Sequence, residues 1–313
     1  MTARRILRLL VPPAIALHST LLAPDEARAW GGTGHRALAA VADTMLTESA
    51  RASVAELLAD DLDLEGRPSP HRRLSEVAGW ADEIRDTTGD RPRWHFDDRP
   101  VCESLPVARN WRCIDGQCAS GRLEALVEIL ADGRNASRAR SLALKWIVHL
   151  VGDLHQPLHA ADLARGGNAI AARLPGRRAS SPVSRPLSLH AAWDVDLVED
   201  ALHLRHGAIP ASRFEQLLTR ARRFGRAELA AAPQDWSVES NRLARGVALR
   251  LDGIRCGAGL PERVQLSRRD AAVAERIIFE RLALAGARLS WILNQHLGDH
   301  ASTSRRSRGP PDP

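Results

Sequence analysis

Apolar residues recur three and four positions apart along most of this chain, the period of a helix with one buried face. The pattern predicts helices at RALAAVADTML (36–46), SVAELLA (53–59), HRRLSEVAGWADEIR (71–85) and GRLEALVEILAD (121–132). Further helices are predicted over 137–154, 189–204, 211–223, 237–254 and 269–297. Thr33 is placed to cap the first, and Leu74, Val77, Ala78 and Ala81 form the apolar side of 71–85. Alternating strand patterns are scarce. Gly166-Gly167-Asn168 reads as a turn, and the polar, proline-containing stretch after it, through Pro182 and Arg185, as a hairpin or surface insertion. No repeat of solenoid period is present. The expectation is an all-α fold: a single, mainly helical domain over 30–300 with minor hairpin or irregular segments. At 313 residues the chain is long enough for a sizeable core.

The helix that ends in WIVHLVGDLHQPLH (146–159) carries the first chemistry. His149 and Asp153 stand four residues apart and so project from one helical face. Gln156-Pro157 ends the helix, and His159 follows on the turn. An imidazole, a carboxylate and a second imidazole held together suit a transition metal. His190 and Asp194 repeat the spacing on another predicted helix. One such pair is weak evidence, since any helix carries solvated His and Asp; two pairs plus His159 are much stronger. His35, Asp82 and His95 lie in apolar contexts, where an unpaired polar group is costly. Five imidazoles and three carboxylates exceed what one tetrahedral zinc accepts, so two or three ions are expected. His155 reads as a support behind the ligands or as structural, Trp146 and Trp193 as packing, and His71, His203, His206, His296 and His300 as solvated.

Composition changes this picture little. The chain has no Tyr, four Phe and eight Trp, a bias without functional content. Its net charge of +6 drops to +4 without residues 1–29; a mildly basic body accommodates an anionic substrate without demanding one. Residues 1–29 read as an export signal: Arg4, Arg5 and Arg8, an apolar stretch, then Ala27-Arg28-Ala29 as cleavage site. A secreted or periplasmic protein is expected. No stretch is long and apolar enough to span a bilayer, so no stable membrane association is expected. The Ser/Arg/Pro-rich segment 301–313 reads as a disordered tail, and Asn135-Ala136-Ser137 is a glycosylation sequon. Four cysteines in an exported chain suggest two disulfides with three possible connectivities. Cys113 and Cys118 bracket the turn-like IDGQ, which favours a local pair and leaves Cys102 with Cys256. Zinc binding by these four competes poorly, because no CxxC is present.

In order and spacing, the segments WGGTGH, WADEIR, RWHF, HLVGDLHQPLHA, RGGN, LHAAWDVDLVE and GARLSWILNQ resemble the S-one/P-one nuclease family, single-strand-preferring nucleases with three zinc ions. The resemblance covers Trp30 to about Leu297 and implies the helical fold that this family shares with zinc-dependent phospholipase C. It implies a first zinc held by Asp82, His95, His149 and Asp153. A second would take His159, His190 and Asp194, and a third His35, Asp153 and the α-amino nitrogen and carbonyl oxygen of Trp30. Cleavage after Ala29 would then be needed for metal loading. The resemblance further implies attack on phosphorus by a hydroxide bridging the first and third ions, with Asp82 orienting it and Arg85 neutralising phosphoryl charge. Phe96 and Asp98 fall at the family's base pocket, and Asn168 at its cleft. The implied substrates are single-stranded DNA and RNA, cut to 5′-phosphorylated nucleotides, with 3′-nucleotides as further substrates of a monomer. A zinc-dependent phospholipase C, which generally has Glu at the place of Asp194, and a non-catalytic zinc-binding protein are the alternatives.

Overall fold

The computed structural model describes residues 30–59, 61–62, 66–177, 186–251 and 253–298. The expected export signal and tail lie outside them. Among the described residues the fold is almost wholly helical, as the apolar periodicity predicts.

The helix Ser137–His155 runs through the centre. Every side chain from Ala143 to His155 is buried, the state of a helix surrounded on all sides rather than lying on a surface. Helix Ala119–Ala131 packs along it, as do the N-terminal helix Gly31–Met45 and the long C-terminal helix Arg268–Leu297. The last also packs against Gly31–Met45, Leu197–Ala201 and Ala211–Ala221. Its start is fixed locally: Ser267 accepts from the Asp270 N–H while Asp270 accepts from the Ser267 N–H, a reciprocal cap. Lys145 is a charge within the central helix. Asp61 pairs with it at 2.7 Å and its ammonium lies 4.0 Å from the centre of the Trp80 ring.

Three local expectations are corrected. Residues 71–85 are two short helices, Leu74–Val77 and Trp80–Glu83, rather than one. The break leaves the Ala78 carbonyl to accept from the His149 ring at 3.1 Å, whereas a continuous helix would commit it to the Asp82 N–H. Thr33 is not a cap: the helix starts at Gly31 behind Trp30, whose φ is 44°. The Pro-containing helix starts at Pro233, a residue pre-set for a first turn, and after Leu243 passes into a π-helical turn, Ala244–Ala248, ending short of the expected 254. At the described ends of the expected hairpin or insertion the chain lies antiparallel, the Ala172 N–H donating to the Leu187 carbonyl and the Leu189 N–H to the Ile170 carbonyl. Strand Ala171–Arg173 pairs in parallel with Arg263–Gln265, and Ala171 forms a single antiparallel bridge with Ser188.

Disulfides join Cys113 to Cys118 and Cys102 to Cys256, the pairing that the turn-like IDGQ favoured. The second spans 154 residues and ties the segment after the expected base pocket to the C-terminal part.

Candidate metal centre

The C-terminal end of the central helix, the turn after it and four other segments converge on one buried site. His149 and Asp153 leave the same helical face, with Nε2 to Oδ2 at 3.3 Å. A 3₁₀ turn, Pro157–Ala160, turns His159 away from them. A second 3₁₀ turn, Pro92–His95, brings in the His95 ring, whose Nδ1 lies 3.1 Å from both His149 Nε2 and Asp153 Oδ2. Asp82 approaches from Trp80–Glu83, with Oδ1 3.8 Å from His149 Nε2. His35, on the N-terminal helix, stacks on His149 with ring centres 4.1 Å apart and points Nε2 at Asp153 Oδ1, 3.3 Å away. Gly152 permits this stack: a Cβ there would lie 2.5 Å from the His35 ring.

His190 and Asp194 come from a helix whose middle changes register. Leu189–Ala191 passes into the π-helical turn Ala192–Asp196 and then into Leu197–Ala201. Such π turns concentrate at functional sites because they re-aim side chains. His190 Nε2 lies 3.1 Å from Asp194 Oδ2 and 3.1 Å from His159 Nε2.

Three imidazoles are oriented in the same way. The Nδ1–H of His149 donates to the Ala78 carbonyl, that of His159 to the His95 carbonyl at 2.6 Å, and that of His190 to the Gly166 carbonyl at 2.7 Å. Each bond commits Nδ1–H to the protein and leaves Nε2 facing inward, the atom available to a metal. Gly166 adopts φ +61°, and a Cβ there would sit 2.6 Å from the Leu158 carbonyl; this is the physical reason for glycine in RGGN.

These residues fit metal ions. With both Nδ1 atoms committed to carbonyls, His159 and His190 turn their Nε2 atoms toward each other, 3.1 Å apart, as two ligand atoms of one cation would be. Six buried atoms without a hydrogen-bond partner belong to the expected ligands: both ring nitrogens of His35, Nε2 of His95, and one oxygen each of Asp82, Asp153 and Asp194. Asp153 and Asp194 are buried, and their partners among the described residues are imidazoles, one amide and a backbone N–H. Carboxylates buried without a full cation beside them are costly. Three groups have donor atoms near enough to share an ion: His35, Asp82 and His149; His95, His149 and Asp153; and His159, His190 and Asp194.

The electrostatics follow the same division. Burial depresses His159, to about 4, and also His35, which the neighbouring His149 lowers further. Burial alone would depress His149 as well, but Asp153 and Asp82 push it up to about 9; Asp194 likewise raises His190. Against its own burial, Asp153 is held well below the usual carboxylate range by His149 and its other imidazole neighbours. It is therefore ionised at neutral pH.

Trp30 is fully buried, its indole N–H donating to the Gly152 carbonyl at 2.7 Å. Its backbone nitrogen donates to Asp194 Oδ1 at 3.3 Å. Its carbonyl accepts the first helical bond, from Gly34. Arg85 reaches Asp82 Oδ1 through Nε at 3.1 Å and Nη2 at 3.0 Å. Phe96 is half-buried and Asp98 exposed; desolvation and then the carboxylates Asp162 and Asp97 raise the Asp98 pKa. Asn168 donates to the Arg165 carbonyl within its own turn.

Sequence reasoning passed over two residues. Gln156 is read only as a helix end, yet its side chain donates to Asp194 Oδ1 at 2.6 Å. Asp97 is fully buried beneath the 3₁₀ turn, accepts from the Ser120 N–H and donates its own N–H to the His159 carbonyl. Its place beside His95 and Asp98 in WHFDD was the available signal.

Known proteins resemble this chain in sequence. Residues 30–298 match the family described as S1/P1 Nuclease. Nuclease S1 of Aspergillus oryzae is 30% identical over 58% of this chain and 59% of its own length. For nuclease P1 of Penicillium citrinum the figures are 28%, 53% and 57%, so both alignments span under two thirds of the relative. Endonuclease 2 of Arabidopsis thaliana is 26% identical over 89% of this chain and 94% of its own length. With a family match running from Trp30 through the C-terminal helix, the chain belongs to the S1/P1 nuclease family.

Proposed function

We propose that this protein is a zinc-dependent nuclease that hydrolyses phosphodiester bonds of single-stranded DNA and RNA to 5′-phosphorylated nucleotides and also dephosphorylates 3′-nucleotides. Family membership supports the nuclease reading. The observation that carries the metal chemistry is the division of Asp153, with Oδ2 toward His95 and His149 and Oδ1 toward His35. One carboxylate is thus arranged to serve two neighbouring cations.

Three zinc ions are proposed. Asp82, His95, His149 and Asp153 would hold one; His159, His190 and Asp194 a second; and His35, Asp153 and Trp30 a third. Bound zinc supplies Lewis acidity toward phosphoryl oxygens and water acidified to a pKa of about 7. The chain's own groups do the rest. Asp82 has Oδ1 anchored by Arg85 and Oδ2 unpartnered, so Oδ2 is disposed to accept from the attacking water and aim it at phosphorus. Arg85 donates to a non-bridging phosphoryl oxygen as charge builds. The bond from phosphorus to the 3′-oxygen breaks, and the phosphate stays on the 5′ side.

A recessed site favours a flexible strand whose bases unstack cheaply, whereas a duplex must first open. Phe96 and Asp98 are proposed to take the base, by stacking and edge hydrogen bonding, with Asn168 shaping the cleft. Export and cleavage after Ala29 would free the Trp30 amine as a ligand. No helix among the described residues is long and apolar enough to cross a membrane.

The test compares nucleotide release from denatured and native DNA, and from RNA, with phosphocholine release from phosphatidylcholine, alongside metal analysis and N-terminal sequencing. Denatured DNA and RNA cut preferentially by a three-zinc protein beginning at Trp30 is the expected result. Phosphocholine release without nucleotides would make it a phospholipase, and bound zinc with neither activity a zinc-binding protein.

A further inference from the structure

Gln156 is fully buried at the junction of the central helix and the His159 turn. Its Oε1 accepts from the Leu158 N–H at 2.5 Å, and its Nε2 donates to Asp194 Oδ1 at 2.6 Å. The amide cannot be reversed. The backbone N–H of Leu158 is a donor only, so oxygen must face it and nitrogen must face Asp194. The side chain thus ties the turn that carries His159 to the π-helical turn that carries Asp194, elements 38 residues apart in sequence.

Asp194 has two oxygens with different surroundings. Oδ1 receives the Gln156 amide and, at 3.3 Å, the Trp30 N–H. Oδ2 has no hydrogen-bond partner and lies 3.1 Å from His190 Nε2, whose ring faces His159. A quarter-turn of the carboxylate would carry both oxygens off these positions and strand the Gln156 donor in a buried site, and an unsatisfied buried donor is costly.

We propose that Gln156 is a positioning residue for the His159, His190 and Asp194 set: it locks the Asp194 carboxylate with Oδ2 toward the two imidazoles and couples the arrival of the His159 turn to that of the π-helical turn. This rests on the zinc reading above. Groups that orient a ligand from behind set metal affinity, and their loss typically weakens it about 10- to 100-fold.

The test is chelator-competition titration of zinc with the exported protein. Gln156→Met keeps the side-chain length and removes both hydrogen bonds. It is expected to weaken one zinc about 10- to 100-fold and leave the others at wild-type affinity. Ser240→Ala is the matched control. It removes another buried bond to the end of the same helix, Ser240 Oγ to the Leu154 carbonyl at 2.6 Å, and is expected to lower the melting temperature without weakening any zinc. In an Asp194→Asn background, Gln156→Met is expected to add less than a twofold change, because the group it orients is already altered. Wild-type affinity in Gln156→Met, equal zinc loss in Ser240→Ala, or an undiminished effect in the Asp194→Asn background would each overturn the proposal and leave the nuclease reading standing. A wild-type protein that binds no zinc would remove the reading beneath it as well.

Discussion

The central helix carries two buried histidines whose surroundings are opposite. His149 faces a cluster of inward-pointing lone pairs: His95 Nδ1 and Asp153 Oδ2 lie 3.1 and 3.3 Å from its Nε2. His155, six residues on, is equally buried but closed. Its Nδ1–H donates to the Val151 carbonyl at 2.7 Å, and its Nε2 accepts from Arg288 at 3.0 Å. Glu239 binds Arg288 through both oxygens, at 2.7 and 2.8 Å, and also Arg281 at 2.8 Å. Arg281 in turn donates to the His155 carbonyl at the helix end. Burial therefore does not mark a histidine as a ligand. What separates the two sides is whether the donors and acceptors cancel within the protein.

Breaking the open side should have the largest effect on activity. His149→Ala is expected to abolish nucleotide release and reduce bound zinc, as measured by digestion of denatured DNA and metal analysis; an active variant would mean that the cluster does not form the active centre. Arg85→Ala comes next. It is expected to retain zinc while kcat falls about 10²- to 10³-fold, the usual loss for one donor to developing charge. Zinc loss in parallel with activity would make Arg85 a support for Asp82 instead.

The closed side should answer in stability. Glu239→Gln leaves two buried guanidinium groups without their carboxylate; because Glu239 itself is partly exposed, the cost is expected at about 2–3 kcal/mol, below the roughly 3–5 kcal/mol of a fully buried pair. Urea denaturation of chelator-treated protein reads this, with activity per folded molecule retained. His155→Leu leaves one Arg288 donor unmatched and is expected to cost about 1–3 kcal/mol by the same measurement. Loss of zinc without loss of stability in His155→Leu would erase the distinction between the two faces.

The pH dependence sharpens the comparison with the smallest signal. Burial would raise the Glu239 pKa, but Arg288 and Arg281 hold it below its ordinary 4.5. In the folded state the group therefore binds a proton less readily than in the unfolded state. Its contribution is present above pH 4.5 and is lost as pH falls through the lower folded value. The denaturation midpoint of the chelator-treated chain should decline across that window, and more gently in Glu239→Gln. An identical slope in the two proteins would remove Glu239 from the acid response.

Much of the site was legible because helical spacing is local. The offset of His149 and Asp153 and its repeat at His190 and Asp194 follow from four-residue separations, and the structure brings both pairs to one centre. The break in 71–85 was not legible. Leu74, Val77, Ala78 and Ala81 keep a helical period across it, and only the packing that brings the His149 ring to the Ala78 carbonyl shows the reason for the turn. The bond from the Trp30 nitrogen to Asp194 was not legible either, a pairing across 164 residues that no local pattern encodes. Gln156 was hidden for a similar reason: a glutamine before a proline reads as the end of a helix, and its partner lies on another element.

By itself the sequence determined the helical class, the residues able to bind metal, the local disulfide and the family to which they belong. Those follow from residue chemistry and from spacings within a turn or two. Tertiary structure decided the contacts among the expected ligands: Asp153 reaches both His149 and His35, while His159 turns toward His190. It also decided that His155 closes against Arg288. The physical reason is that a buried polar group takes its role from the partner opposite it, and here those partners lie on elements far apart in the chain.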